Sequence, residues 1–560
     1  MNNLRLVIIG GVAGGASAAT RARRLSESAE ITVFERGNFV SFANCGIPYY
    51  IGEEIKDQKE LVLQTPQSFH ARYNIDVRLR SEVIAIDSKN KLIKVRNLDE
   101  KSEYDFPYDA LVISTGAAPV KPPVPGINRE GIFTVRDIPD AERIKDWITK
   151  KAVQSVVIIG AGFIGLEMAE QLRGLNLNVT VVEALPQVMT PLDPEMAALV
   201  QSELKSNSVQ LRLSNPVAGF EEPKSGESAK SSIVVLKNGE RLPADMVLIC
   251  TGVKPEVALA KSAGIEIGNL GGIRVNEYMQ TSNSSIWAVG DAVEVKNEIT
   301  GAWSLIPLAG LANRQGRVAA DNIFGKKSVY TGGIGTIIVR LFKLTAAATG
   351  VNEKTAKQSQ IPYQVVHIHP RSHASYYPGG GMISLKLLFN PETRKVLGAQ
   401  AVGIDGVDKR IDIIATAIKA KMTVDELVNL ELCYSPPFGS AKDPVNLAGM
   451  AAQNILDGLT SVAQYYEVDS MMKSGVVVLD VRTPAERAKG SIPGSIHIAL
   501  DELRNRINEL PKDMEILVHC QSGQRSYFAC RILKQNGFKV KNLSGSYLTW
   551  GSWFKEFGIK

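Results

Sequence analysis

Apolar runs of four or five residues recur along this 560-residue chain, and they read as strands buried on both faces. The first, Leu6-Val7-Ile8-Ile9, passes into Gly10-Gly11-Val12-Ala13-Gly14-Gly15 and then into an Ala-rich helical stretch through Arg24. A second strand, Ile31-Thr32-Val33-Phe34, ends on Glu35. The same order returns later. Val156 to Ile159 leads to Gly160-Ala161-Gly162-Phe163-Ile164-Gly165 and a helix, and Val179-Thr180-Val181-Val182 then ends on Glu183. Strands Ala110 to Ile113 and Met246 to Thr251 bracket this second unit, and Ser285 to Val289 follows. Within 330–453, strands such as Ser384 to Phe389 and Leu397 to Val402 precede a helix from Val407 to Ile418. A last α/β pattern begins near residue 462, with strands Val476 to Leu479 and Ile516 to His519.

Strand, glycine turn, helix, strand and terminal acid together form the dinucleotide fingerprint. Glycines let the backbone approach a pyrophosphate, the helix N-terminus faces its charge, and the acid accepts from a ribose hydroxyl. The first unit departs at its middle glycine position, which is Val12. The second unit is complete, and Glu183 would repel a 2′-phosphate, so NADH is expected over NADPH. The fold class expected is α/β. Two Rossmann-like folds, one inserted in the other, are followed by an α+β domain and a small C-terminal α/β domain.

Composition narrows the chemistry. Apolar content of 44% and charged content of 22% are those of a globular protein with three or four domains. The net charge of +6 is 64 basic against 58 acidic residues, with no basic run dense enough for nucleic acid. No stretch of about 18 apolar residues argues for a membrane span, and the apolar N-terminus reads as strand, turn and helix rather than a signal peptide. Five cysteines without a CxxC pair do not make a disulfide scaffold or a zinc site, and a reducing, cytoplasmic location is expected. Cys45, in Val40-Ser41-Phe42-Ala43-Asn44-Cys45-Gly46-Ile47-Pro48-Tyr49, lies soon after the first nucleotide unit.

The ordered set of both glycine turns, Ser114-Thr115-Gly116-Ala117-Ala118-Pro119, Gly252-Val253-Lys254-Pro255 and Gly290-Asp291 resembles the flavoprotein disulfide reductase family over residues 4 to about 450. The resemblance implies FAD on the outer fold, at Gly10 to Gly15, Glu35, Arg36, Thr115, Gly116, Gly290, Asp291, Pro307 and Ala309. It implies NAD(H) on the inserted fold, at Gly160, Gly162, Phe163, Ile164, Gly165, Glu183 and Gly252. A helix from Leu308 to Ile323 would turn its N-terminus toward the flavin. Most members carry two cysteines four residues apart, whereas Cys45 is alone, with Tyr50 and Val40 on either side. The segment Ser41 to Gly46 resembles the coenzyme A-disulfide reductase group, whose cysteine pairs with coenzyme A. That likeness places Ser17, Arg21, Arg24, Ser41 and Asn44 at substrate-contact positions, with Arg23 on the same helix a further partner for phosphates. Tyr73 stands where some members have a basic residue, beside Arg72. Residues 330–453 resemble the family's dimerisation domain. Its segments His373 to Gly379 and Cys433 to Phe438 imply that Tyr376 and Tyr434 reach the substrate sulfur from the partner subunit of a homodimer, with Lys442 on the same side.

His367, His369 and His373 suggest a metal, but no acidic or cysteine ligand sits at suitable sequence spacing. No metal is expected, and the histidines read as a solvated strand. Residues 462–560 resemble a rhodanese domain. In Cys520-Gln521-Ser522-Gly523-Gln524-Arg525-Ser526 four residues separate Cys520 from Arg525, a loop sized for a persulfide rather than a phosphate. Inward amides, Arg525 and the helix N-terminus would stabilise a thiolate or persulfide there. Cys250, Cys433 and Cys530 read as core or neighbouring residues. The expected layout is an FAD domain (1–122 and 271–328), an NAD(H) domain (123–270), a dimerisation domain (329–453), a linker (454–461) and the rhodanese domain. The function expected is an NADH-dependent reductase of coenzyme A persulfide, disulfide or polysulfide through a Cys45 mixed disulfide, fused to a sulfurtransferase. An NADH oxidase or peroxidase cycling Cys45 through sulfenic acid, and a redox sensor or sulfur carrier, are the alternatives.

Overall fold

The computed structural model describes residues 4–224 and 231–558. They fall into two units, Met1–Pro186 with Val209–Gly335, and Gln187–Ser208 with Thr336–Lys560.

The first unit holds two five-stranded parallel sheets of matching plan. In one, Arg5–Ile9 is central, between Glu30–Phe34 and Ala110–Ile113, with Asp76–Arg78 and Ile286–Ala288 at the edges. In the other, Ser155–Ile159 is central, between Asn178–Val182 and Met246–Ile249, with Gln210–Arg212 and Ile132–Thr134 outside. The second sheet lies in the chain between strands Ala110–Ile113 and Ile286–Ala288 of the first, so one nucleotide fold is inserted in the other. Gly10 and Gly160 follow the central strands at φ +94° and +107°. A Cβ on Gly10 would lie 2.2 Å from the Ser114 carbonyl oxygen, and one on Gly160 2.3 Å from that of Cys250. Only glycine allows strand and turn to close this tightly. The helices Ala13–Leu25 and Ala309–Ile323 also meet closely, because Gly316 lies against the Gly14 carbonyl.

In the second unit an antiparallel sheet runs in the order Ile337–Leu341, Leu344–Gly350, Val396–Gly403, Ile383–Phe389, Gln364–Ile368. The last is an edge strand, which would leave a row of backbone groups unpaired. The C-terminal domain covers it. Gln464 Nε2 donates to the Val365 carbonyl (3.2 Å), and the His367 amide donates to Ser544 Oγ (3.0 Å). The C-terminal domain itself is a parallel sheet in the order Val462–Ala463, Lys539–Leu543, Glu515–His519, Val477–Asp480, Ile496–His497.

This docking overturns the reading of His367 and His369 as a solvated strand. His367 is buried, its ring placed between Ser544 Oγ (3.0 Å) and Glu195 Oε1 (2.9 Å). His369 bridges Ser384 Oγ (3.0 Å) and Thr549 Oγ1 (2.9 Å), and burial pulls its pKa down to about 3. The acid absent from the local sequence comes from helix Pro194–Ser206, whose segment packs with this unit although 123–270 was expected to form the NAD(H) domain. Beneath it lies Lys386, fully buried, with Nζ 2.5 Å from Glu195, 2.5 Å from Glu353 and 2.7 Å from Asp193. Those three carboxylates could hold a cation, and the lysine ammonium already lies among them.

Replacing Lys386 with methionine should destabilise this unit by about 3–5 kcal/mol near neutral pH, because three carboxylates lose their buried cation. Lys386 and its neighbours hold the Glu195 carboxyl below the ordinary carboxylate range. Its contribution is therefore present above the unfolded carboxylate pKa and lost as pH falls toward the folded one. Denaturant titration at pH 7 and pH 4 checks this. The deficit of the variant should shrink in acid.

Candidate active site

The two glycine turns present the same features to solvent. Glu35, at the end of its strand, accepts from the Gly11 amide (3.0 Å) and the Gly37 amide (2.8 Å). Glu183 accepts from the Ala161 amide (2.8 Å) and the Leu185 amide (3.0 Å). Each carboxylate is thereby fixed beside the turn with lone pairs left for ribose hydroxyls. Gly162, Gly116 and Gly252 face open space, where a Cβ would meet nothing within 4 Å. Gly15 and Gly165, in contrast, pack on the carbonyls of Gly10 and Gly160. Val12 has φ −97° and caps its helix, a conformation that needs no glycine. Phe163 opens the helix after the second turn and Ile164 beside it is exposed. Gly290 is at φ +81° with its amide on Gln315 Oε1 (2.7 Å). The neighbouring Asp291 carboxyl is half-buried, accepts from no described residue, and is pushed above its ordinary pKa by burial. A partly buried acceptor without a donor beside an open glycine turn fits the hydroxyls of a flavin side chain. Pro307 and Ala309 are exposed at the start of helix Ala309–Ile323, one residue later than expected. Thr115 Oγ1 donates to the Glu256 carbonyl (2.7 Å), and Arg36 pairs with the Glu256 carboxylate (2.8 Å).

Cys45 sits in a short 3-10 turn, Asn44–Gly46, leading into helix Ile47–Ile51, and is solvent-exposed. Ser41, at φ +48°, ties the segment to the first glycine turn through its amide on the Gly11 carbonyl (2.8 Å). Asn44 Nδ2 donates to the Arg136 carbonyl (3.2 Å), and Tyr49 Oη to Glu167 (3.3 Å). Although the sulfur reaches solvent, the surrounding protein and the carboxylates of Glu167 and Asp291 hold the thiol above its ordinary pKa. All five cysteines are free. Burial pushes Cys250 up to about 12 and Cys530 higher still, whereas Cys433 is exposed, one residue before Tyr434.

The basic helix divides its tasks. Arg24 is exposed. Arg21 pairs with Asp321 (2.6 Å), and Ser17 Oγ donates to Asn313 (3.0 Å), so both line the seam with helix Ala309–Ile323. Arg23, expected to face phosphates, is buried and donates to the carbonyls of Tyr73, Asn74, Ser26 and Glu27. It staples the helix end to the chain at Tyr73.

In the second unit Tyr376 and Tyr434 meet, their hydroxyl oxygens 3.0 Å apart and both rings exposed. Their loops are joined by the Ala374 amide on the Gly439 carbonyl (2.9 Å). Buried Arg410 reaches the Ser372 carbonyl (2.8 Å) and Asp443 (2.9 Å) beneath them. The bond to Tyr434 holds the Tyr376 phenol above its ordinary pKa. Lys442 is exposed on the same stretch.

Cys520 follows the central strand of the C-terminal sheet and is buried. Its sulfur accepts from the Gly523 amide (3.1 Å) and lies 3.4 Å from Ser526 Oγ, while its own amide donates to Ser546 Oγ (3.1 Å). Arg525 differs from expectation, since both terminal nitrogens lie on Glu486, at 2.8 and 2.6 Å. Glu486 was the signal left unused. Thr483-x-x-Glu486 has the spacing of a capping box, and the structure forms one.

Residues 4–316 match the model of the pyridine nucleotide-disulphide oxidoreductase family and 337–444 that of its dimerisation domain, while 465–552 match a rhodanese-like domain. The chain belongs to the pyridine nucleotide-disulphide oxidoreductase family. FAD and NAD(H) serve this family, and the residues of the two glycine turns fit both. Over 446 residues, 80% of this chain and 98% of the relative, it is 38% identical to an NADH oxidase of Methanocaldococcus jannaschii. Over 452 residues, 80% of this chain and 100% of the relative, it is 32% identical to coenzyme A disulfide reductase of Staphylococcus haemolyticus. The structure of reduced Bacillus anthracis CoADR-RHD superposes with TM-score 0.97 at 47% identity over 99% of both chains. That of an NAD-dependent persulfide reductase from A. fulgidus does so with TM-score 0.91 at 41% identity, over 98% of this chain and 100% of the other. Among the described residues no helix is long and apolar enough to cross a membrane.

Replacing Glu183 with alanine removes the negative charge at the ribose position. Steady-state kinetics with both nucleotides should show the NADH-to-NADPH ratio of kcat/KM falling roughly tenfold or more, a change of about 1.4 kcal/mol. An unchanged ratio would place the discrimination elsewhere.

Proposed function

We propose that the protein is an NADH-dependent reductase of coenzyme A persulfide, with coenzyme A disulfide and polysulfides as related substrates, fused to a working sulfurtransferase. The observation that carries this reading is the exposed, unpaired Cys45. The next cysteine in the chain, Cys250, is a thiol with its pKa pushed up to about 12 in the other nucleotide fold. The second sulfur of a disulfide therefore has to be brought by substrate. The names of the Staphylococcus, Bacillus and A. fulgidus proteins support coenzyme A and persulfide in that role.

When bound, FAD supplies the two-electron relay, taking hydride from NADH and passing an electron pair to sulfur. The Cys45 thiolate attacks the persulfide at the sulfur bonded to coenzyme A. The S–S bond breaks, hydrosulfide leaves, and Cys45 is joined to coenzyme A in a mixed disulfide. An electron pair cleaves that bond, coenzyme A departs as thiol and Cys45 returns to thiolate. The sum is persulfide plus NADH and a proton giving coenzyme A, hydrogen sulfide and NAD⁺. Tyr376, kept protonated by its bond to Tyr434, supplies the proton to the leaving thiolate from the partner subunit of a homodimer. Ser17, Arg21, Arg24, Ser41, Asn44 and Lys442 hold the coenzyme, Arg24 and Lys442 with charges exposed to solvent. A sulfenic acid cycle has no use for the tyrosine pair, which separates this reading from an NADH oxidase.

Cys45→Ser should lower NADH-dependent reduction of coenzyme A persulfide by at least roughly a thousandfold while leaving NADH oxidation by an artificial dye intact. Tyr376→Phe combined with Tyr434→Phe should cost on the order of 10–100-fold in kcat. Persulfide reduction by Cys45→Ser at the parent rate would overturn the reading.

A further inference from the structure

Arg525 lies in the Cys520 loop, Arg482 reaches it at Gln521, and Arg487 joins Arg482 on Asp480, so that each guanidinium already has an anion. Arg482 is fully buried, bonded to Asp480 (2.8 Å), the Gly490 carbonyl (2.7 Å) and Gln521 Oε1 (3.3 Å). Arg487 turns to Asp480 (3.3 Å) and to Ser495 Oγ (2.9 Å). Arg525, within the loop, gives both terminal nitrogens to Glu486. The Glu486 carboxylate is itself fixed in advance, because Oε2 accepts from the Thr483 amide and hydroxyl at 3.0 Å each. Arg525 and the capping box together hold this carboxyl down to about 2. The pair is bidentate, the strongest geometry open to a guanidinium, and its partner cannot swing away without breaking the cap of helix Pro484–Arg487.

Sulfur donors differ in what they leave behind. Transfer from thiosulfate breaks its S–S bond, adds the outer sulfur to the Cys520 thiolate and releases sulfite, so a doubly charged anion must enter and leave. Transfer from an alkyl persulfide breaks the same kind of bond and releases an alkyl thiol, whose carbon chain near the sulfur carries no charge. The first needs a free cation at the loop. The second needs only the amide and hydroxyl that already face Cys520.

We propose that Glu486 is a specificity-determining residue: by occupying Arg525 it selects alkyl persulfides over inorganic thiosulfate as sulfur donors to Cys520. This rests on the reading of Cys520 as a working sulfur carrier. The step is Cys520 thiolate plus alkyl persulfide giving Cys520 persulfide anion plus alkyl thiol, with no change in total oxidation state. Arg525 then balances Glu486 rather than substrate, and Glu486 acts as a positioning residue through it.

The test follows Cys520 in the full-length chain by mass, using a background in which the two exposed thiols are removed (Cys45→Ser and Cys433→Ser) and mapping the added sulfur to the Cys520 peptide. Glutathione persulfide and thiosulfate are offered separately at equal concentration, and the rate of gain of one sulfur atom is read. Glutathione persulfide should load Cys520 at least roughly tenfold faster than thiosulfate. Glu486→Gln, which keeps an acceptor for Thr483 while removing the charge, should shrink that preference by at least roughly tenfold, with the change in the apparent KM for thiosulfate. Equal loading of the parent by both donors would overturn the proposal even if the variant failed to fold, and so would a Glu486→Gln chain that keeps the parent preference. Loading by neither donor would instead remove the sulfur-carrier reading on which the proposal rests.

Discussion

A lysine ammonium buried among three carboxylates is the constraint around which the second unit is built. Lys386 stands in the apolar strand Ile383–Phe389, where a charge is tolerated only with anions brought to it. Asp193 and Glu195 come from the helix segment of 187–208 and Glu353 from a helix beside the sheet, and these three bonds tie remote segments into one core. Glu195 is then shared further. It accepts from Lys386 and from the His367 ring, whose other nitrogen meets Ser544 of the rhodanese domain, so the same anion serves the sheet and what docks on its edge. The docking therefore has a polar lock at its centre as well as the backbone bonds at Val365 and His367. Because Ser544 is two residues from Ser546, which holds the Cys520 amide, the surface that seals the edge strand also supports the Cys520 loop.

The first unit depends on a different closeness. In both nucleotide folds a glycine without a side chain lets the turn rest on the carbonyl ending the neighbouring strand. That contact aims amides outward and leaves the terminal acids, Glu35 and Glu183, beside the opening. Cys45 is attached to the same scaffold by the Ser41 bond to Gly11, so its segment takes its position from the glycine turn itself. With the Asp291 carboxyl accepting from no described residue and its charge bearing on Cys45, this end of the first unit has its acceptors placed before any ligand arrives.

What was legible in the sequence was what is encoded locally. The two glycine turns, their acids, the lone Cys45 and the Cys520 loop each occupy a few consecutive residues whose spacing carries the chemistry. Features made by tertiary contact were not legible. His367 alternates with His369 as a solvated strand would, and nothing nearby in the chain announces Ser544, 177 residues on. Lys386 is a lone charge in an apolar run, and its anions Glu195 and Glu353 lie 191 and 33 residues away along the chain. Arg23 and Arg525 both resembled anion ligands, and the structure gives them to carbonyls and to Glu486, because a guanidinium serves any acceptor its surroundings offer.

The central claim is that coenzyme A supplies the sulfur that Cys45 lacks. Intact mass spectrometry of the enzyme, purified without reductant, tests this most directly. The account predicts a coenzyme A adduct that maps to Cys45, disappears with dithiothreitol and is absent from a Cys45→Ser chain. A free Cys45 thiol, or one oxidised only to sulfenic or sulfinic acid after incubation with coenzyme A disulfide, would contradict it.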